Sequence, residues 1–165
     1  MTPGAVLFLL LAWPAGAAED AAFDPDRYPE STPAAIVKAH PCKPGPQGYE
    51  VKDVLFSLRS EYRPLTRGVV KEHVAPIRRW TEKLKAADHA ARFTRELRIG
   101  RGKDAAWAAT TQEVLDSMGK ELKPGETVWF FMSFIGCVGQ DPAFALDEYQ
   151  PPDDELDDGA TSVVI

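Results

Sequence analysis

Residues 127–138 read TVWFFMSFIGCV. The run is apolar on both faces, with aromatics at Trp129, Phe130, Phe131 and Phe134. It is too short to cross a hydrocarbon core, which needs about 20 residues. It follows a turn signal, Lys123-Pro124-Gly125-Glu126. A continuous apolar run bounded this way predicts a central strand buried on both faces. Trp129 and Phe131 are therefore expected in the core and not on a ligand-facing surface.

Upstream of that turn, residues 110–122 have helical spacing. Val114, Leu115, Met118 and Leu122 form an apolar stripe. Thr110 with Glu113 three residues later fits a capping box, and Lys120 and Lys123 suit the helix C-terminus. Trp107, just before this helix, reads as a hydrophobic staple, with ligand stacking as the alternative. Further upstream, Phe93, Leu97 and Ile99 alternate with Thr94, Glu96 and Arg98, which predicts a half-exposed strand over 93–99. Gly100-Arg101-Gly102-Lys103 closes it. That tetrapeptide looks superficially like a phosphate loop but lacks the longer spacer and the hydroxyl residue after its Lys; Asp104 stands there instead. A third strand is expected over 49–58, YEVKDVLFSL.

Residues 69–91 are ambiguous. Val70, Val74, Ile77, Trp80 and Leu84 favour an amphipathic helix, but Pro76 lacks an N–H and clashes with the preceding turn. A break at Ala75-Pro76 is expected, with a strand over 68–74 as the alternative. These segments together predict one α+β domain over 49–140: a small mixed sheet with helices packed on one face.

The flanks differ in kind. Residues 1–18 read MTPGAVLFLLLAWPAGAA, an apolar run followed by an Ala-x-Ala site at Ala15-Gly16-Ala17. This is the layout of a cleaved secretory signal, although a Lys or Arg at its start is missing; a short membrane anchor is the alternative. The mature chain is expected in the periplasm or outside the cell, with no membrane-spanning segment after cleavage. Residues 19–48 carry Pro25, Pro29, Pro33, Pro41, Pro44 and Pro46, and predict an extended arm with one short helix near 34–39. Residues 141–165 hold eight acidic residues and no Lys or Arg, and predict a flexible acidic tail.

Two cysteines, Cys42 and Cys137, remain in the mature chain. An even count in an exported domain predicts one disulfide tying the arm to the central strand. Two free thiols, or a metal site joining His40 to Cys42, are the alternatives; tetrahedral sites want four ligands.

Chemistry is signalled by charge. Residues 59–103 hold thirteen Lys and Arg against five Asp and Glu, a balance of +8, while 141–165 stand at −8. A basic surface attracts anions. Its candidate binding residues are Arg78, Arg79, Arg95, Arg98, Arg101 and Lys103, and its partner classes are an anionic polysaccharide, a lipid headgroup or an acidic protein. Nucleic acid is not expected. No nucleophile, base and orienting group assemble from His40, His73, His89 or Ser133. The expectation is thus an exported non-catalytic binding or assembly module without a cofactor or metal; a small exported hydrolase using His73 or His89 as base is the alternative.

Overall fold

The computed structural model describes residues 23–43 and 45–151. The expected signal segment and the end of the acidic segment, residues 152–165, lie outside the described residues. Six strands form one mixed sheet: β1 Tyr49–Glu61, β2 Thr66–Gly68, β3 Phe93–Ile99, β4 Ala106–Thr111, β5 Thr127–Val138 and β6 Asp141–Gln150. Three helices pack against it: α1 Pro33–Ala39, α2 Lys71–Lys83 and α3 Gln112–Glu121. The spatial order is β1-β5-β6-β4-β3-β2. The α+β architecture is the one expected from the sequence.

The apolar run 127–138 is strand β5, inside the sheet between β1 and β6. Phe130, Met132 and Phe134 are buried in the larger apolar cluster, with Phe56 of β1 and Phe144 of β6. Each such side chain stabilises the fold by about 1.5 to 3 kcal/mol through burial. Ile135 points the other way, into a second cluster with Ile77 and Trp80 of α2 and with Ala109, Ala143 and Ala145. The small residues on β4 and β6 let α2 approach the sheet. Met118 and Leu122, at and just beyond α3, and Ile36 of α1 join the larger cluster, so the helices divide between the two.

Four local expectations are corrected. Residues 141–150 are not tail but strand β6, with Ala143 to Leu146 buried. The apolar stretch Pro142 to Leu146 outweighs the acidic residues on either side of it. Helix α2 runs unbroken through Pro76. The proline lies early in the helix, forfeits one backbone bond, and is itself buried against the sheet, so packing outweighs the break. The cap of α3 is Thr111, whose Oγ1 accepts from the Val114 N–H at 3.3 Å. Thr110 is instead taken up by strand β4, opposite Arg95, and Trp107 lies in that strand rather than in a helix staple.

The N-terminal arm is anchored. Ser57 N donates to the Pro29 carbonyl at 3.0 Å and Ser31 N to the Ser57 carbonyl at 2.9 Å, which covers the free edge of β1. Cys42 is bonded to Cys137 of β5, as expected, at a sequence separation of 95. This removes Cys42 from any metal site with His40. At Gly136 a Cβ would collide with the Glu50 carbonyl, so only glycine lets β1 and β5 meet there. No helix among the described residues is long and apolar enough to cross a membrane.

Strands β4 and β6 are parallel neighbours joined by a ladder of only two pairs, Ala108 with Phe144 and Ala109 with Ala145. Every other pairing between these six strands is antiparallel. The sheet therefore parts at both ends of this short ladder.

Candidate functional site

The larger opening lies where β4 and β6 begin. Ala105, Ala106, Asp141 and Pro142 form its floor and α1 one wall, around a cavity of about 630 Å³. That volume suits a single small ligand. Pro33, Val37, Trp107 and Phe144 make the walls largely apolar, and Lys38, Arg67 and Lys103 supply positive charge.

Each cation is placed by local sequence. Lys38 sits in the last turn of α1, a helix opened by Thr32, whose Oγ1 accepts from the Ala35 N–H at 3.2 Å. Lys103 lies in the 3-10 turn Gly102–Asp104. Gly100 sets that turn: its φ is +85°, and a Cβ there would strike the Asp104 carbonyl. Arg67 comes from β2 and lies over the Trp107 ring at 4.1 Å from its centroid, with Arg98 at 5.5 Å. Cation–π contact of this kind fixes the guanidinium while leaving its charge available. Lys38 and Lys103 have no ion-pair partner among the described residues, and neither does Asp141 opposite them.

Behind Arg67 sits a buried carboxylate. Glu96 is fully buried; Arg67 Nε donates to its Oε2 at 2.6 Å, and His73 Nδ1 donates to Oε1. Burial alone would raise the Glu96 carboxyl, but the His73 and Arg67 donors reverse this and hold it below the usual carboxylate range. In a neutral His73 ring whose Nδ1–H is committed to Glu96, Nε2 is the acceptor. His73 also lines the cleft.

The six cations expected from sequence do not converge. Lys103 lines the cleft and Arg98 braces Trp107. Arg78 and Arg79 are exposed on α2, where Arg79 contacts Glu82 at 2.8 Å and the Tyr49 hydroxyl at 3.2 Å. Arg101 is paired with Glu61. Arg95 donates to Thr66 Oγ1 at 2.9 Å, on the strand face opposite to Glu96 and Arg98. Charge counting missed Lys38, which lies outside the basic segment, and could not single out Arg67. His89 is exposed, 3.8 Å from Asp88.

Compared with protein-family models, curated proteins and solved structures, the chain matches none.

Proposed function

We propose that this protein is an exported, non-catalytic binding module whose basic cleft receives a small anion carrying an apolar body. The observation that carries this reading is the convergence of Lys38, Arg67 and Lys103, from three separate elements, on an apolar cavity. A charged head meets the lysines and an acyl or aromatic body meets Val37, Trp107 and Phe144. The cavity volume favours one lipid-like or aromatic carboxylate over a polysaccharide chain or a protein face. The signal-type N-terminus and the disulfide support export.

The test uses mature protein, titrated calorimetrically with laurate and with its uncharged counterpart dodecanol. Laurate should bind at least roughly tenfold more tightly, and Lys38→Ala/Lys103→Ala should remove that preference, as should high salt. Equal affinity for the acid and the alcohol would overturn the reading.

A hydrolase remains the second reading, and one observation favours it: His73, oriented by Glu96, opens into the same cleft. No Ser, Thr or Cys lines that cleft among the described residues, so water would have to be the nucleophile. Turnover of an aryl ester that disappears in His73→Gln would establish it.

A further inference from the structure

The β4–β6 pair also parts at its other end, and what gathers there differs in charge. Beyond the Ala109–Ala145 pair, β4 turns into α3, while β6 shifts register against β5 next to Phe131 and Met132. Asp147 is the extra residue at that shift, and such bulges re-aim a side chain. The crevice beside the carboxyl ends of neighbouring parallel strands is also where ligands bind in open sheets. The cavity there measures about 460 Å³, and Tyr28, Asp53, Trp80, Phe93, Thr110 and Asp147 are among its walls.

Among the described residues, the carboxylate there engages only one of its two oxygens. Asp147 Oδ2 accepts from Ser133 Oγ at 2.6 Å and from the Tyr28 hydroxyl at 3.1 Å. Both donors use the same oxygen, and none reaches Oδ1 among the described residues. Thr110 also borders the cavity, but it pairs with Arg95 across β3 and β4, so its side chain faces away from α2 and from Asp147. No cation pairs with Asp147 among the described residues. The nearest charged groups are Arg27 at the exposed rim, Asp53 of β1 and Glu148 of its own strand, with Lys83 of α2 standing 3.9 Å from Asp53. Asp53 in turn accepts from Trp80 Nε1 at 3.2 Å.

We propose that this second cavity binds a small primary ammonium with an apolar body, its N–H groups donating to Asp147 Oδ1. An ammonium supplies what the site lacks: a positive charge for a carboxylate held in apolar surroundings, and several donors at once. The Trp80 and Phe93 rings, edge to face at 5.8 Å, offer the apolar wall and a quadrupole that favours cations. Asp53 adds a second negative charge. An anion would meet two carboxylates here, so this site is distinct in ligand class from the basic cleft.

The proposal carries a pH signature. Burial raises the Asp147 carboxyl to about 7, opposed by its Ser133 and Tyr28 hydrogen bonds and reinforced by the charges of Asp53 and Glu148. The ammonium needs the ionised form, so affinity should rise with pH through that value, while the ligand itself stays charged.

Calorimetry on the mature protein with 2-phenylethylammonium chloride, and with 2-phenylethanol as the uncharged counterpart, tests this. The ammonium should bind at least tenfold more tightly than the alcohol, and its affinity should fall roughly tenfold between about pH 8 and about pH 6, following the ionised fraction of Asp147. Asp147→Asn keeps the acceptor for Tyr28 and Ser133 and should weaken ammonium binding at least roughly tenfold. Ammonium and alcohol binding equally, no detectable ammonium binding at millimolar concentration, or an undiminished affinity in a folded Asp147→Asn protein would each overturn the proposal. Laurate binding in the basic cleft is read separately and should be unchanged by this substitution.

Discussion

Asp147→Asn should make the ligand-free protein more stable at neutral pH and leave it nearly unchanged in mild acid. The Asn side-chain oxygen accepts the same two hydrogen bonds that Asp147 Oδ2 takes from Ser133 and Tyr28. What disappears is a charge. Burial lifts the carboxyl from 3.8 to about 7 in the folded protein. Between these two values the unfolded chain is ionised while the folded protein still holds its proton. The folded state then binds more protons than the unfolded state, so stability falls as pH rises through this window. At about 1.4 kcal/mol per pH unit, a displacement of roughly three units amounts to about 4 kcal/mol, complete above about pH 7 and absent below about pH 4. The Asn variant carries no such loss. Urea denaturation of both proteins at unit steps from about pH 4 to about pH 8 isolates the effect, because every other titrating group cancels in the difference. The variant's advantage should grow by about 1.4 kcal/mol per pH unit up to about pH 7 and then level off. A difference that stays flat across this range would refute the reasoning, because it would mean that water already solvates the Asp147 carboxylate in the folded protein.

Three further outcomes follow from the packing. Removing the bridge in Cys42→Ala/Cys137→Ala frees a loop of 95 residues; chain entropy puts the loss near 4.7 kcal/mol, and urea midpoints should show about 2 to 5 kcal/mol, while alkylation without reduction should label no thiol in the wild type. Phe131→Ala should cost about 3 to 5 kcal/mol by thermal or urea unfolding, since the ring is buried edge-on against Phe23 at 4.9 Å and Tyr28 at 5.4 Å. His73→Ala strands Glu96 with Arg67 as its remaining partner and should cost about 3 kcal/mol at pH 7. Because the Glu96 carboxyl is held low, its contribution is present above the ordinary carboxylate pKa and vanishes as pH falls through the depressed value. The variant should therefore approach the wild type in strong acid, as read from unfolding at graded pH.

What the sequence made legible was whatever repeats with a clear period. Strands β3 and β5 were readable to the residue because alternation and an unbroken apolar run are strong local signals. Strand β4 was not, because AWAATT is rich in alanine, which has weak strand preference. Its alanines are there for tertiary reasons: Ala109 admits Ile77 and Trp80 of α2. Strand β6 was obscured by its ends, where Asp141, Asp147 and Glu148 dominate the composition around a short buried centre. The assignment of the charge changes with it. Asp141 borders the basic cleft and Asp147 the second cavity, so a balance of −8 over residues 141–165 described no single region. The basic cleft was half legible. A sum of charges marks a positive segment, yet it cannot show that Arg79 and Arg101 are paired with Glu82 and Glu61 while Lys38 and Lys103 have no partner among the described residues.

Both cavities trace to one weakness in the sheet, and both are walled by the same piece of chain. Two parallel pairs are too few to hold β4 and β6 together along their length, so the strands separate at either end of the ladder. Strand dipoles in a mixed sheet nearly cancel, so the opposite character of the two openings has to come from side chains. It does. The end at Ala106 and Asp141 gathers Lys38, Arg67 and Lys103, and the end at Thr110 and Asp147 gathers Asp53 and Asp147. In each case a residue of the N-terminal arm completes the wall: α1 supplies Val37 and Lys38 to the first, and Tyr28 supplies its hydroxyl to the second. The arm holds its place through the backbone bonds at Ser57 and the bond from Cys42 to Cys137. A bridge that closes so long a loop does more than stabilise the domain. It keeps the arm at a fixed height on the sheet, and with it the geometry of both openings.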